Sequence, residues 1–401
     1  MKHLVAGAAL GLMLTGAAFA QEKVVNVGVL TDMSGPYADV GGAGSTVAAQ
    51  MAIDDSGLIA KGWKINLISA DHQNKVDVGS NLAREWIDQG KADVILDSLN
   101  SGVALAVNQI VKEKNKVFLV SGAASSDLTG KSCSPNTIHW TYDTFSQANG
   151  TGKALTKAGG DSWYFITADY AFGKALERDT TAVVKATGGK VLGDVMAPLN
   201  NADFSSQLLQ AQASKAKVIG LANAGADTAN AIKQAAEFGI TQGGQNLAAL
   251  LMFITDVHAL GLQAAQGLDF TTAYYWDLND KTRDFGNRFA QKMKNGAKPS
   301  MVQAGVYSAL IHYLKAVEAL GPTADGAAIV STMKSMPTED EAMGKGYIRQ
   351  DGRKIHPMYL LQVKKPSESK YPWDYAKVVL TLPGEEAFRP LAQSECPLVK
   401  K

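Results

Sequence analysis

The sequence predicts an α/β protein built from two doubly wound lobes that are joined by a multi-stranded hinge. Short apolar segments and amphipathic segments alternate along it with a repeat of roughly 25 residues, as strands and helices do in such folds. The alternation starts afresh near residue 163, which indicates a second sheet. The chain then turns to helices without a sheet of their own and to antiparallel segments. It must therefore pass between the lobes several times, and several crossings make a hinge.

The first series of elements predicts one doubly wound sheet. Each apolar run is short, is rich in Val, Ile and Leu, and is followed by a segment with helical periodicity. The predicted strands are 24–30, 64–69, 93–96 and 117–120, and the predicted helices are 43–54, 78–89 and 102–114.

The second series repeats the plan. The predicted strands are 163–167, 190–195, 218–222 and 248–253, and the predicted helices are 173–186, 204–214 and 227–238. This order is typical of a second lobe of the same class.

The last part of the chain no longer alternates between strands and helices. Three helices are predicted at 281–295, 301–320 and 327–336, and two β segments at 357–364 and 375–382 follow the Asp351-Gly352 turn. A turn of this kind favours antiparallel pairing. From these crossings we assign the lobes as residues 21–141 plus 274–355, and 142–273 plus 356–401, with the C-terminal tail returning to the first lobe.

Two loops of small polar residues follow neighbouring strands of the first lobe. One is 97–102 and the other is 121–127. Such loops lie side by side at the carboxyl ends of parallel strands, where amides and hydroxyls converge on one crevice. A helix start with free N–H groups favours a carboxylate or a phosphate without any charged side chain. The alternative is a pair of ordinary capped turns, since Ser and Asn begin many helices.

The N-terminal 20 residues are typical of a secretory signal peptide. Lys2 precedes an uncharged run from Leu4 to Ala17, and Ala18-Phe19-Ala20 is a cleavage pattern. The run is too short and too rich in Gly and Ala to anchor a chain in a membrane. We expect cleavage near Ala20 and an extracytoplasmic, periplasmic location.

The charge balance argues against polyanionic partners. The sequence has 39 basic and 38 acidic residues, and loss of Lys2 with the signal peptide leaves 38 of each. A balanced charge without blocks of one sign predicts neither a nucleic-acid partner nor a membrane-surface contact.

The only two cysteines are Cys133 and Cys396. Exported chains meet an oxidising compartment, so we expect one disulfide that ties the C-terminal tail to the first lobe. The alternative is a pair of unpaired buried thiols.

Catalytic and cofactor motifs are weak. The 129–132 segment resembles the end of a phosphate-binding P-loop, but Ser125 stands where that motif needs Gly. Neither a dinucleotide fingerprint nor a nucleophile elbow is present. The histidines have no metal-site spacing, and we expect them at the surface or in caps: His72, His139, His258, His312 and His356. No cofactor and no metal are expected.

Several carboxylates come just after predicted strands, where many α/β enzymes place an acid or a base. They are Asp32, Asp71, Asp97, Asp169 and Asp256. The same positions suit helix caps and turns, so these residues alone do not establish catalysis.

Four motifs together resemble the type I periplasmic solute-binding proteins, in particular the branched-chain amino acid receptors of ABC importers. They are VGVLTDMSGPYADVG at 27–41, SGVA at 101–104, SGAAS at 121–125 and ADYAFG at 168–173. The resemblance covers essentially the whole chain after the signal peptide. It implies a ligand in the cleft between the lobes, closure about the hinge, and delivery to a membrane permease.

The resemblance also implies ligand contacts. Ser101 and Ser125 would offer hydroxyls to a ligand carboxylate, and Phe172 stands where the family usually has Tyr. The glutamate that holds an ammonium group in amino acid receptors is absent from its usual turn, where the chain has Asp256. The full set of expected ligand-binding residues is Tyr37, Asn100, Ser101, Ala123, Ala124, Ser125, Tyr170, Phe172, Asn223, Ala224, Phe253 and Asp256.

We therefore expect a monomeric solute receptor for an ABC transporter, without enzymatic activity. The departures from the amino acid receptors favour a small aromatic carboxylate, such as a benzoate or phenylpropenoate derivative, because aromatic side chains face the carboxylate-binding loops. One alternative is a branched-chain amino acid or amide receptor of the same family. An alternative of another class is a secreted α/β hydrolase or deaminase that uses the strand-end aspartates.

Overall fold

The computed structural model describes residues 22–322 and 324–400. The predicted signal peptide, residues 1–20, lies outside these described residues. No helix within them is long and apolar enough to cross a membrane.

A five-stranded parallel sheet forms the centre of the first lobe. Its strand order is β2-β1-β3-β4-β5. The strands are β1 (Val24–Thr31), β2 (Lys64–Asp71), β3 (Val94–Asp97), β4 (Val117–Val120) and β5 (Thr137–His139), and the helices between them are α1 (Gly42–Asp55), α2 (Val76–Asp88) and α3 (Ser101–Glu113). Every residue of β3 and β4 is buried, because helices cover both faces of a parallel sheet.

A four-stranded parallel sheet forms the centre of the second lobe, in the order β7-β6-β8-β9. It is preceded by α4 (Thr144–Gln147), a π-helical turn (Ala148–Gly152) and α5 (Lys153–Lys157). The sheet and its helices are β6 (Ser162–Ala168), α6 (Ala171–Ala186), β7 (Lys190–Ala197), α7 (Ser205–Ala213), β8 (Val218–Ala222), α8 (Ala226–Glu237), β9 (Asn246–Ala249), α9 (Ile254–Leu260) and α10 (Leu262–Ala265).

The remaining elements complete both lobes. They are β10 (Asp269–Thr272), α11 (Asp280–Lys292), α12 (Met301–Leu320), α13 (Gly326–Ser335), β11 (Tyr347–Ile348), β12 (Lys354–Ile355), β13 (Met358–Val363), β14 (Ala376–Leu382) and α14 (Gly384–Ala387). Strands β10, β13 and β14 form an antiparallel sheet. Helix α12 packs on α1, where Ser300 Oγ donates to Val40 O (2.6 Å) and Gln303 Nε2 donates to Gly41 O (3.0 Å).

The chain passes between the two parallel sheets after β5, after β10 and between β12 and β13. Two side chains join the first of these segments to the last. His356 Nε2 lies 2.8 Å from Thr141 O, and Arg353 donates to Tyr142 O at 2.9 Å. The crossings thus form one bonded hinge, and the predicted two-lobed α/β fold is confirmed.

The predicted disulfide is also present, between Cys133 and Cys396, whose Cα atoms are 5.6 Å apart. Two other predictions were wrong. The strand expected at 248–253 is β9 at Asn246–Ala249, because residue 253 instead caps helix α9. Four histidines that were expected at the surface or in caps are buried, namely His72, His139, His312 and His356. Each ring has a hydrogen bond to a backbone group, but the second ring nitrogen of His72, His139 and His312 has no partner among the described residues.

Candidate functional site

A small cavity of about 10 Å³ lies between the two lobes. This is about the room that a single water molecule needs. The cavity is lined from both sides, by Tyr37, Val40, Leu99, Gly122, Ala124, Tyr142, Tyr170, Phe172, Ala224, Leu251 and Phe253. None of these side chains is charged and five are aromatic, so the surface offered to a ligand is apolar with phenol groups at its edge.

The loop that carries Tyr37 is held by a buried carboxylate. Asp32, at the end of β1, accepts hydrogen bonds from the amides of Gly35 (2.7 Å) and Tyr37 (2.9 Å) and from Asn74 Nδ2 (2.7 Å). An aspartate side chain commonly fixes the turn that follows it in this way. The Gly35-Pro36-Tyr37 turn is therefore a rigid projection of the first lobe.

This turn contacts the second lobe directly. The Tyr37 and Tyr170 hydroxyls are 2.6 Å apart, and the amide of Ala226, at the start of α8, donates to Pro36 O at 3.2 Å. Gly225 has φ +60°, and a Cβ at this position would lie 2.5 Å from Pro36 O. The lobes are thus closed on each other, and glycine is required where they touch.

The 121–127 loop is bonded to the hinge through three successive carbonyls. Tyr142 Oη donates to Gly122 O (2.5 Å), His139 Nε2 lies 2.7 Å from Ala123 O, and the amide of Thr144 donates to Ala124 O (2.8 Å). The carbonyls thus face the hinge. No described residue accepts a hydrogen bond from the amides of Ala123 and Ala124, so these donors remain for an anion.

Ser101 and Ser125 lie together beside this loop. The amide of Ser125 donates to Ser101 Oγ (3.2 Å), and Ser125 Oγ accepts from the amide of Asp127 (3.4 Å). Each hydroxyl therefore acts as an acceptor within the protein and keeps its proton to donate. Asn100 has a structural role, since its Oδ1 caps α3 by accepting from the amide of Gly102 (2.9 Å).

The end of β3 carries backbone strain beneath the cavity. Asp97 and Ser98 have φ values of +78° and +57°, which are costly for residues other than glycine and often mark functional positions. Ser45 Oγ donates to Asp97 Oδ2 (2.6 Å), and burial raises the pKa of Asp97 to about 6. A Cβ on Gly122 would lie 2.5 Å from Asp97 Oδ1, so the carboxyl group packs against the loop from below.

Half of the residues predicted for the site lie around this cavity: Tyr37, Ala124, Tyr170, Phe172, Ala224 and Phe253. The other half are adjacent or deeper: Asn100, Ser101, Ala123, Ser125, Asn223 and Asp256. Asn223 Oδ1 accepts from Thr228 Oγ1 (2.7 Å), and its Nδ2 is buried without a partner among the described residues.

Asp256 serves as a helix cap. Its Oδ2 accepts from the amide of Phe253 (2.9 Å) at the start of α9, and only 6% of the residue is exposed. Burial raises the pKa of Asp256 to about 7, and the negative charge of Asp39 acts in the same direction. A carboxyl group in this setting is poorly suited to hold a charge near neutral pH.

Five lining residues were not predicted: Val40, Leu99, Gly122, Tyr142 and Leu251. Three of them lie within two residues of predicted ones, and Val40 lies three residues from Tyr37, so their loops were identifiable although their side-chain directions were not. No sequence pattern indicated Tyr142, because it lies between β5 and α4, in the segment where the chain first crosses between the lobes. It packs edge-on against Phe253, with ring centroids 6.1 Å apart.

The chain matches the sequence profile of the periplasmic binding proteins over residues 24–370. A Burkholderia mallei periplasmic binding protein of known crystal structure is 53% identical, with a TM-score of 0.91, over 94% of this chain and 100% of that one. The Leu/Ile/Val-binding protein homolog 6 of Brucella melitensis is 26% identical over 394 residues, which cover 92% of this chain and 94% of the relative. An R. palustris solute-binding protein in complex with benzoate is 21% identical, with a TM-score of 0.79, over 90% of this chain and 97% of that one. The last likeness concerns the fold alone.

Proposed function

Because the chain belongs to the periplasmic binding protein family, whose members bind small solutes and deliver them to ABC permeases, we propose that its ligand is a small aromatic carboxylate. Benzoate and phenylpropenoate derivatives are the compounds we expect. The observation that carries this proposal is the uncharged lining of the cavity, with aromatic side chains from both lobes. Such walls favour a flat apolar ring, which gains about 0.5–1.5 kcal/mol per aromatic contact beyond burial of area.

The carboxylate would be held by the first lobe. Ser101 and Ser125 offer hydroxyl protons, and Ala123 and Ala124 offer amides that no described residue uses. Hydrogen bonds to a charged group are worth about 1.5–3 kcal/mol each, so these neutral donors suffice without an arginine. The ring would then lie against Tyr37 and the Tyr170–Phe172 segment, which line the cavity. The lobes would have to part to admit it, because the closed cavity of about 10 Å³ has room for only one water molecule.

The uncharged lining also argues against an amino acid. An α-ammonium group needs a carboxylate or several carbonyls at the site, and the three carbonyls of residues 122–124 already bond to the hinge. Asp256 is engaged as a helix cap. The R. palustris protein in complex with benzoate shows that this fold accommodates an aromatic acid.

A branched-chain amino acid or amide remains the second candidate. It is favoured by the similarity to a Leu/Ile/Val-binding homolog along nearly the whole chain. In that case Asp256 would have to ionise and turn toward the ammonium group.

Calorimetric titration of the purified chain with benzoate, 4-hydroxybenzoate and coumarate, beside leucine, isoleucine and valine, tests the proposal. We expect binding of the aromatic acids, with no turnover of the ligand. Binding of leucine without a response to any aromatic acid would contradict it and establish the second candidate.

We propose further that residues 1–20 direct export and are removed near Ala20, and that the receptor acts as a monomer. The lobes would comprise residues 21–141 plus 274–355 and residues 142–273 plus 356–401. Mass spectrometry of protein recovered from the periplasm would show the cleavage point.

A further inference from the structure

We propose that Arg178 and Asp179 are positioning residues that couple closure of the lobes to the 121–127 loop. The proposal rests on the proposed function in one respect, namely that this loop contacts the ligand. The two residues lie on α6 of the second lobe, whereas the loop belongs to the first. Their side chains bridge the lobes at a distance from the cavity.

Asp179 is the centre of a buried hydrogen-bond network, and the residue is only 2% exposed. Its Oδ2 accepts from Ser126 Oγ and from Thr144 Oγ1, both at 2.6 Å. Its Oδ1 accepts from Arg178 Nε (3.1 Å) and from Arg389 Nη2 (3.0 Å). Four donors saturate the carboxylate, and a network with every member satisfied is rigid.

Arg178 adds two hydrogen bonds between the lobes to the one that joins Ser126 and Asp179. Its Nη1 donates to Asp127 Oδ1 (3.0 Å), and its Nη2 donates to Ser126 Oγ (2.8 Å). Ser126 and Asp127 directly follow Ser125, which is a proposed carboxylate-binding residue. The second lobe therefore fixes the C-terminal end of the 121–127 loop.

The same helix supplies a wall of the cavity. Phe172, in its first turn, lines the cavity, and Asp179 follows it by seven residues. Residues seven apart lie on one face of a helix, about 10 Å apart along its axis. A rotation of the second lobe therefore moves Phe172 together with the side chains that bond to Ser126. The cavity wall and the 121–127 loop thus change position in one motion.

The simpler explanation is that the network only stabilises the fold. The two explanations differ in the ligand-free protein. If Arg178 couples the lobes, its removal opens them while each lobe stays folded. If it only stabilises, the melting temperature falls and the shape of the native protein does not change.

The experiment compares Arg178→Ala with Lys174→Ala, which removes an exposed cation from the same helix whose partner, Asp169, is in the same lobe. Small-angle scattering without ligand should give a larger radius of gyration for Arg178→Ala than for the wild type and for Lys174→Ala, in addition to any fall in melting temperature from the donor that Asp179 loses. Asp127→Asn removes the same ion pair from the other lobe and should give the same increase. An unchanged radius of gyration in both Arg178→Ala and Asp127→Asn would overturn the coupling.

Ligand kinetics provide the second readout, with 4-hydroxybenzoate or leucine, whichever the wild type binds. Arg178→Ala should release it about five- to tenfold faster, which corresponds to the loss of one or two partly exposed hydrogen bonds. Unaltered release would count against the coupling. Failure of the wild type to bind aromatic acids would contradict the proposed ligand alone, because the scattering comparison needs no ligand.

Discussion

The hydroxyl oxygens of Tyr37 and Tyr170 are 2.6 Å apart, and each belongs to a different lobe. Burial raises the pKa of both phenols, so both stay protonated and one donates to the other. A hydrogen bond between the buried Tyr37 and the half-buried Tyr170, which belong to different lobes, stabilises the closed state. Both rings also line the cavity, so we expect the same pair to contact the ligand in the closed state.

Removal of either hydroxyl should weaken ligand binding. Tyr37→Phe or Tyr170→Phe keeps the aromatic wall but leaves the remaining phenol buried without a partner, which should cost about two- to tenfold in affinity. The double variant leaves no unpaired hydroxyl, so its loss should be smaller than the product of the two single losses. Titration calorimetry on all three variants measures this, and independent effects would contradict the direct bond.

Ser101→Ala and Ser125→Ala should each weaken carboxylate binding. Each hydroxyl would donate to a charged group, so we expect a loss of about 1.5–3 kcal/mol, or about ten- to a hundredfold in affinity. Ser134→Ala is the matched control, because its buried hydroxyl also accepts from a backbone amide, that of Asn136 (3.1 Å), but lies outside the loop and the cavity lining. Wild-type affinity in both test variants would remove these serines from the site.

Gly225→Ala should prevent full closure. A Cβ here would lie 2.5 Å from Pro36 O, and the two lobes must separate to relieve the clash. We expect no compaction in small-angle scattering on addition of a ligand that compacts the wild type, and weaker binding.

Gly261→Ala controls for backbone strain. This glycine also has a positive φ, +74°, but a Cβ there meets nothing within 4 Å. Both variants should lose stability through the left-handed backbone, and only Gly225→Ala should lose closure. Normal compaction of Gly225→Ala would show that the contact between the lobes is not needed.

Asp256→Asn should flatten the dependence of stability on pH. Burial raises the pKa of Asp256 from 3.8 to about 7, so between these values the native chain holds a proton that the unfolded chain has lost. The contribution to stability is present below the lower value and is lost as pH rises through the upper one. The melting temperature of the wild type should therefore fall relative to that of Asp256→Asn from about pH 5 to about pH 8.

Asp97 and Asp227 have pKa values raised to about 6 by burial, so part of the decline should remain in Asp256→Asn. A constant difference between wild type and Asp256→Asn would show that Asp256 is ionised in the native protein.

The fold was predictable because its local signals agree. Strand β4 is apolar throughout and β3 is apolar up to its last residue, Asp97, and the helix that follows β3 has one apolar face. The periodicity and the order of the elements therefore indicate one architecture. The short strand β5 and the π-helical turn after it were missed. Both owe their structure to neighbours, since β5 pairs with β4 at one edge and Arg353 at the other.

The site was predictable only in its loops. The residues after β3 and β4 must face the crevice in a parallel sheet, so the 97–102 and 121–127 loops could be identified. Tyr142 could not, because it reaches Gly122 O only through the path of the hinge. The contact between Tyr37 and Tyr170 joins residues 133 positions apart, and no local pattern encodes such a meeting.

The disulfide places a constraint on the order of biosynthesis. Cys133 and Cys396 are separated by 263 positions, so the first thiol is synthesised long before its partner. The sequence has two cysteines, so Cys133 cannot form an incorrect disulfide within its own chain before Cys396 is available. Mispairing requires a thiol of another molecule, so the concentration of other thiols around the newly made chain, rather than reshuffling within it, should limit the yield of correctly oxidised protein.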